Sequence, residues 1–145
     1  MLKGVDPLLG PELLATLRSM GHGDDIAIVD ANFPAAANAR RLIRADGVTA
    51  TAMARAIVSV LPLDDFVEIA AFRMEVVDAP RETPPIVEEF GAILREAGYT
   101  RPIGAIERFA FYRRAAESCA AVATGERRHW GNLILKKGAL PPPSA

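Results

Sequence analysis

Short apolar runs alternating with amphipathic stretches predict a single three-layer α/β/α domain with a mixed central sheet. Three observations carry that prediction. Ile26, Ala27, Ile28 and Val29 form a brief continuous apolar run, as a strand covered on both faces does. Leu13, Leu14, Leu17 and Met20 repeat at helical spacing, and so do Ile86, Phe90, Ile93 and Ala97. A chain of 145 residues, 50% hydrophobic and 24% charged, has the size and balance of one globular unit. No internal repeat and no boundary divides it, so residues 1–138 are expected to form the domain. Residues 139–145, with Pro141, Pro142 and Pro143, form a frayed tail.

The elements follow in order. Pro11 suits a first helical position, and Gly21 is a natural stop for the helix that it opens. The strand 26–29 comes next and ends before Phe33-Pro34, and residues 35–42 are expected to form a short helix. Arg44-Ala45-Asp46-Gly47 reads as a turn or a brief strand end. Thr49 or Thr51 caps a second helix through Ala52, Ala56, Ile57 and Val60, which Pro62 stops. Residues 66–77 read as a strand, and Pro80, Pro84 and Pro85 as a surface loop leading into the helix that Gly98 closes. A short strand over 101–106, a helix over 109–118 and strands over 120–124 and 133–136 complete the set.

Composition excludes several classes of function. A net charge of −1 and a pI near 6.1 give no electrostatic footprint for nucleic acid or an anionic membrane. The single Cys119 rules out an internal disulfide and, with only two histidines, makes a transition-metal centre a poor expectation; a reducing, cytoplasmic home fits. The opening residues show no secretion signal or membrane span. The sequence holds no Gly-rich phosphate loop, dinucleotide fingerprint or Ser-His-Asp pattern.

The stretch Met20-Gly21-His22-Gly23-Asp24-Asp25 is the richest in chemistry. Glycines on both sides leave the His22 imidazole free to meet a ligand, and Asp30 stands at the carboxyl end of the following strand, where open α/β sheets bind ligands. An imidazole and a carboxylate suit proton transfer near neutrality. A solvated loop histidine and a turn-forming aspartate are the plain alternatives. Arg108, near the start of a helix, opposes the helix dipole, so a ligand or carboxylate partner is one reason for its presence and neutralisation by Glu107 another. Trp130 offers a flat face to a sugar ring or plugs a neighbouring surface; Gly131 permits close backbone approach, and Asn132 supplies donors and an acceptor. His129 reads as a surface residue, Cys119 as inert packing, and Arg127, Arg128, Lys136 and Lys137 as a small basic cluster.

Met1-Leu2-Lys3-Gly4, Pro11-Glu12-Leu13-Leu14, Met20-Gly21-His22-Gly23-Asp24, Ile43-Arg44-Ala45-Asp46-Gly47, Arg108-Phe109-Ala110-Phe111-Tyr112, Thr124-Gly125-Glu126 and Gly131-Asn132-Leu133-Ile134-Leu135-Lys136-Lys137-Gly138 together resemble the L-fucose mutarotase family, whose near relatives are the D-ribose pyranases. The likeness runs from Met1 to Gly138. It implies the fold of those proteins and interconversion of the α and β anomers of L-fucose or a similar pyranose without a cofactor. It also implies a toroidal homo-oligomer, decameric in bacterial members, with sites at subunit interfaces. His22 is then the proton donor, while Asp30, Arg108, Trp130, Gly131 and Asn132 bind sugar. Two departures bear on sugar preference: Trp130 stands where the family usually has Tyr, and Asn32 where fucose-type members often have His. Asp30 has three sound roles, as a hydroxyl acceptor, as a partner of His22 or as the base. If 26–29 is extended, His22 and Asp30 lie on the order of 15 Å or more apart at ~3.3 Å per residue. Either the loop folds back over the strand or neighbouring subunits complete each site. Pyranose–furanose exchange on ribose, and sugar binding without catalysis, are the competing functions.

Overall fold

The apolar run after His22 is the centre of the sheet. In the computed structural model, which describes residues 1–144, the elements are α1 (Pro11–Ser19), β1 (Asp25–Val29), β2 (Leu42–Ala45), α2 (Ala50–Val58), β3 (Ala71–Met74), α3 (Pro85–Glu96), β4 (Gly104–Ile106), α4 (Arg108–Glu117), β5 (Ala120–Thr124) and β6 (Leu133–Lys136). The strand order is β2-β5-β1-β6-β3-β4. β6 runs antiparallel to β1 and β3, while the other pairings are parallel, so the sheet is mixed.

Period-two alternation sorts the side chains into two cores. Ile26 and Ile28 of β1, Val122 of β5, and Leu133 and Leu135 of β6 face α1, α2 and α3, where they meet Leu13, Leu17, Met53, Ile57, Ile86 and Phe90. Ala27, Val29, Ala121, Ala123 and Ile134 face the other way, against Phe111 and Ala115 of α4. The alanines on that face let one helix of modest hydrophobicity sit close to the sheet. Three helices on one side and one on the other give the expected three layers. Among the described residues, no helix is long and apolar enough to cross a membrane.

Four expectations need correction. Residues 35–42 are not a helix: Asn38 N–H bonds the carbonyls of Pro34 and Ala35 in a single turn, and the chain then enters β2. Ala35 is buried but residues 36, 37, 40 and 41 are exposed, so no apolar stripe rewards helix formation. The strand expected over 66–77 shrinks to β3, because the Asp64 carboxylate accepts the Phe66 N–H at 3.0 Å and holds 64–66 in a turn. The strand expected over 101–106 begins only at Gly104, since Tyr99 Oη donates to the Pro102 carbonyl and keeps that stretch in a loop. Helix α1 stops because Met20 turns extended (φ −65°, ψ 135°); the positive φ of the loop lies at Gly23 (89°) rather than Gly21. Residues 139–144 carry no helix or strand, and Ala145, the last residue of the expected tail, lies outside the described residues.

Candidate functional site

The strands β1, β2, β3, β4 and β5 all end on one side of the sheet, and a cavity of about 150 Å³ opens there. Asp30, just after β1, and Asn132, just before β6, are brought together by the antiparallel pairing of those strands. They hold each other reciprocally: Asp30 N–H donates to Asn132 Oδ1 at 2.9 Å, and Asn132 Nδ2 donates to Asp30 Oδ2 at 3.0 Å. Asn32 N–H donates to Asp30 Oδ1 at 3.0 Å. Asp30 and Asn132 are each more than nine-tenths buried. Burial raises the Asp30 carboxyl above its ordinary value, and the hydrogen bonds from Asn32 and Asn132 only partly oppose it. Such a carboxylate is primed to accept a proton or a strong hydrogen bond from whatever enters the cavity.

The walls come from two further segments. Trp130 lines the cavity with its backbone in the left-handed region (φ 68°), a conformation that costs a bulky residue about 1–3 kcal/mol and occurs mostly at functional sites. Gly131 is required next to it, because a Cβ there would sit 2.8 Å from Glu126 Cγ and 2.9 Å from Ile86 Cδ1. The loop is braced by Glu126, a buried residue whose carboxylate binds the Arg128 backbone and guanidinium. From α4 come Arg108 and Tyr112, one helical turn apart. Among the described residues Glu107 makes no ion pair with Arg108, though it feels the charge of that side chain; its carboxylate caps the helix by accepting the Phe109 and Ala110 N–H groups. Arg108 Nε is buried without a hydrogen-bond partner among the described residues, leaving a donor available at the cavity. Phe33 and Met74 supply apolar wall, and Phe33 meets the Tyr112 ring edge-on at 5.2 Å.

His22 is elsewhere. It lies at the amino end of β1, where its Nε2 is 2.9 Å from Asp64 Oδ1, and the Phe66 ring is 5.2 Å from the imidazole. The His22 side chain is 45% exposed and that of Asp64 only 4%. Burial pushes the Asp64 carboxyl up, but the hydrogen bonds from His22 and the Phe66 N–H, with the charges of His22 and Lys136, outweigh it and leave the group below its ordinary range. An ionised carboxylate only accepts, so Nε2 carries the proton in this pair and Nδ1 is the nitrogen left for other chemistry. The loop therefore does not fold back over β1, and one chain holds His22 and Asp30 at opposite ends of five strand residues.

The cavity brings together Asp30, Arg108, Trp130 and Asn132, with Gly131 behind them, and leaves His22 outside. Sequence reasoning missed Tyr112 and Asp64. The i, i+4 spacing from Arg108 pointed to Tyr112, whereas nothing local pointed to Asp64, 42 residues from His22. His129 is exposed, as expected of a surface residue, yet it also lines the cavity. The basic cluster is dispersed: Arg128 pairs with Glu126 and Glu89, and Lys136 with Asp25. Cys119 is partly buried, and burial first, then Asp24, pushes its thiol up. Among the described residues, no group of three or more His, Cys, Asp or Glu is placed to hold a metal ion.

The profile of the RbsD / FucU transport protein family matches residues 3–140. The chain is 48% identical to the fucose mutarotase of Homo sapiens over 96% of its own length and 94% of the relative's. It is similar to the crystal structure of the fucose mutarotase from Streptococcus pneumoniae in complex with L-fucose, with a TM-score of 0.91 and 38% identity, covering 97% of this chain and 100% of the other. Bacillus subtilis RbsD complexed with D-ribose shares the fold, with a TM-score of 0.72 and 21% identity over 97% of this chain and 99% of the other.

Proposed function

The chain belongs to the RbsD / FucU transport protein family, and on that premise we propose that it is a sugar mutarotase, an isomerase that interconverts the α and β anomers of L-fucose. The observation that carries this reading is the cavity, where a buried carboxylate, an amide and an unpartnered guanidinium N–H converge beside an indole. These groups suit a polyhydroxy ring: Asp30 and Asn132 fix hydroxyls, Arg108 adds a donor, and Trp130 covers an apolar sugar face.

Mutarotation needs no redox step. The anomeric hydroxyl loses a proton, the bond between C1 and the ring oxygen breaks, and the ring oxygen gains a proton. The aldehyde then turns about C1–C2 and the steps reverse. The reaction runs slowly in water unaided, and general acid–base groups each contribute roughly 10²–10⁴-fold. His22 is the proton donor in this proposal, oriented by Asp64, and it acts on the sugar held in a neighbouring subunit's cavity. The distance between His22 and Asp30 within one chain supports that arrangement. Copies joined head to tail present the amino end of one sheet to the carboxyl end of the next and close into a ring; the resemblance to the bacterial mutarotases implies a decamer. The lone Cys119 is in keeping with a cytoplasmic setting.

Saturation-transfer NMR on a panel of sugars tests the reading. Exchange between the anomers of L-fucose is expected at catalytic protein concentrations. Binding without exchange, or exchange confined to the ribose pyranose–furanose pair, overturns it.

A further inference from the structure

The chain has two histidines, and the proposed mechanism uses one. The other, His129, stands at the Asp30 cavity between Arg128, whose guanidinium is tied to Glu126 and Glu89, and Trp130, whose left-handed backbone turns the chain at that point. Its side chain is exposed, and among the described residues neither ring nitrogen is bonded to a protein group. The polar groups lining the cavity are Asp30, Asn32, Arg108, Tyr112, Asn132 and His129. Arginine keeps its proton and the asparagines have none to exchange. Of the remaining three, only imidazole belongs to the class that takes up and releases a proton around neutrality.

We propose that His129 is a second proton-transfer group of this cavity, accepting the anomeric proton of a bound sugar while the neighbouring subunit's His22 donates to the ring oxygen. This rests on the mutarotase reading. In the step, the anomeric O–H proton passes to the neutral His129 imidazole and its electron pair becomes the carbonyl π bond. The pair of the breaking bond between C1 and the ring oxygen stays on that oxygen, which takes the proton that His22 donates. Closure on the other face of the carbonyl returns both protons. The charged and titratable groups that share the cavity lining with His129 are Asp30 from the end of β1 and Arg108 and Tyr112 from α4, and Arg127 and Arg128 precede it on its own loop.

The test is L-fucose anomer exchange by saturation-transfer NMR, between about pH 5 and pH 8, where imidazoles titrate. Four proteins are compared: wild type, His22→Gln, His129→Gln and the double variant. His129→Gln is expected to lower exchange about tenfold and to remove one ionisation from the pH profile. The residual exchange of His22→Gln is expected to fall about tenfold further in the double variant. An unchanged rate and profile in His129→Gln overturns the proposal, as does a double variant equal to His22→Gln. A wild type inert on L-fucose removes the mutarotase reading and this proposal together; an active wild type indifferent to residue 129 removes this proposal alone. Because His129 is exposed, the melting temperature of each variant is expected to match wild type.

Discussion

The two ends of β1 are built in opposite ways. At the carboxyl end, Asp30 is buried, bonded reciprocally to Asn132, and its carboxyl is held above its ordinary pKa. At the amino end, Asp64 is equally buried but bonded to an exposed imidazole, and lies below its ordinary range. The first is a cavity whose carboxylate and amide are bonded to each other in place, and on the proposed reading it receives the sugar. The second is a carboxylate that steadies a ring standing in the open, flanked by a Phe66 that is 78% exposed. On the proposed mechanism, an imidazole half in solvent at the opposite end of β1 from the cavity serves that cavity only if another copy of the chain brings the two ends together.

His22→Gln breaks this contrast most severely. Anomer exchange is expected to fall about 10²-fold or more, while sugar binding and assembly remain, because the ring packs into no core. Exchange within about twofold of wild type removes His22 from the mechanism. Trp130→Ala acts on the other end and on binding alone. A loss of about 1–3 kcal/mol is expected, the scale for burying one large apolar side chain, whereas Trp130→Tyr is tolerated. The intrinsic fluorescence of the sole tryptophan, read during sugar titration, checks this; unchanged emission and unweakened binding in Trp130→Ala make it a packing residue.

The smallest effect sharpens the contrast between the carboxylates. Asp30 is raised above 3.8, so the stability its protonation contributes is full below that value and is lost as pH rises through its folded value. Asp64 is lowered, so its contribution is present above 3.8 and is lost as pH falls through its folded value. Relative to wild type, the melting temperature of Asp30→Asn therefore gains as pH rises past 3.8, and that of Asp64→Asn loses. Melts taken across the acid range and up to neutrality read the two slopes; slopes of the same sign refute the assignment.

Much of the carboxyl end was legible because its parts are local. A strand followed by Asp30, a helix opening at Arg108, and a Trp130-Gly131-Asn132 turn before a strand each carry a short-range signature, and α/β topology gathers them at one edge. The antiparallel β6, which makes Asn132 the partner of Asp30, is a tertiary choice that no local pattern fixes. The amino end was half legible. Glycines marked His22, but Asp64 reaches it through a turn 42 residues away, and the same turn removes residues 66–70 from the strand that their apolar composition suggested. Residues 35–42 misled for the reverse reason: good helix formers without a buried stripe make a single turn and lead into β2, an edge strand that pairs with β5.

Subunit complementation tests the two-subunit site most directly. His22→Gln lacks the donor and keeps the receptor, while a receptor variant, Asp30→Asn, keeps the donor. Each alone is expected to be nearly inactive. Mixed in equal amounts under conditions where subunits exchange, they form head-to-tail contacts of which about one quarter join an intact His22 to an intact Asp30 cavity. Recovery of about one quarter of wild-type exchange is expected. Exchange no higher than that of the two variants measured separately, from subunits shown to have mixed, rules out the two-subunit site.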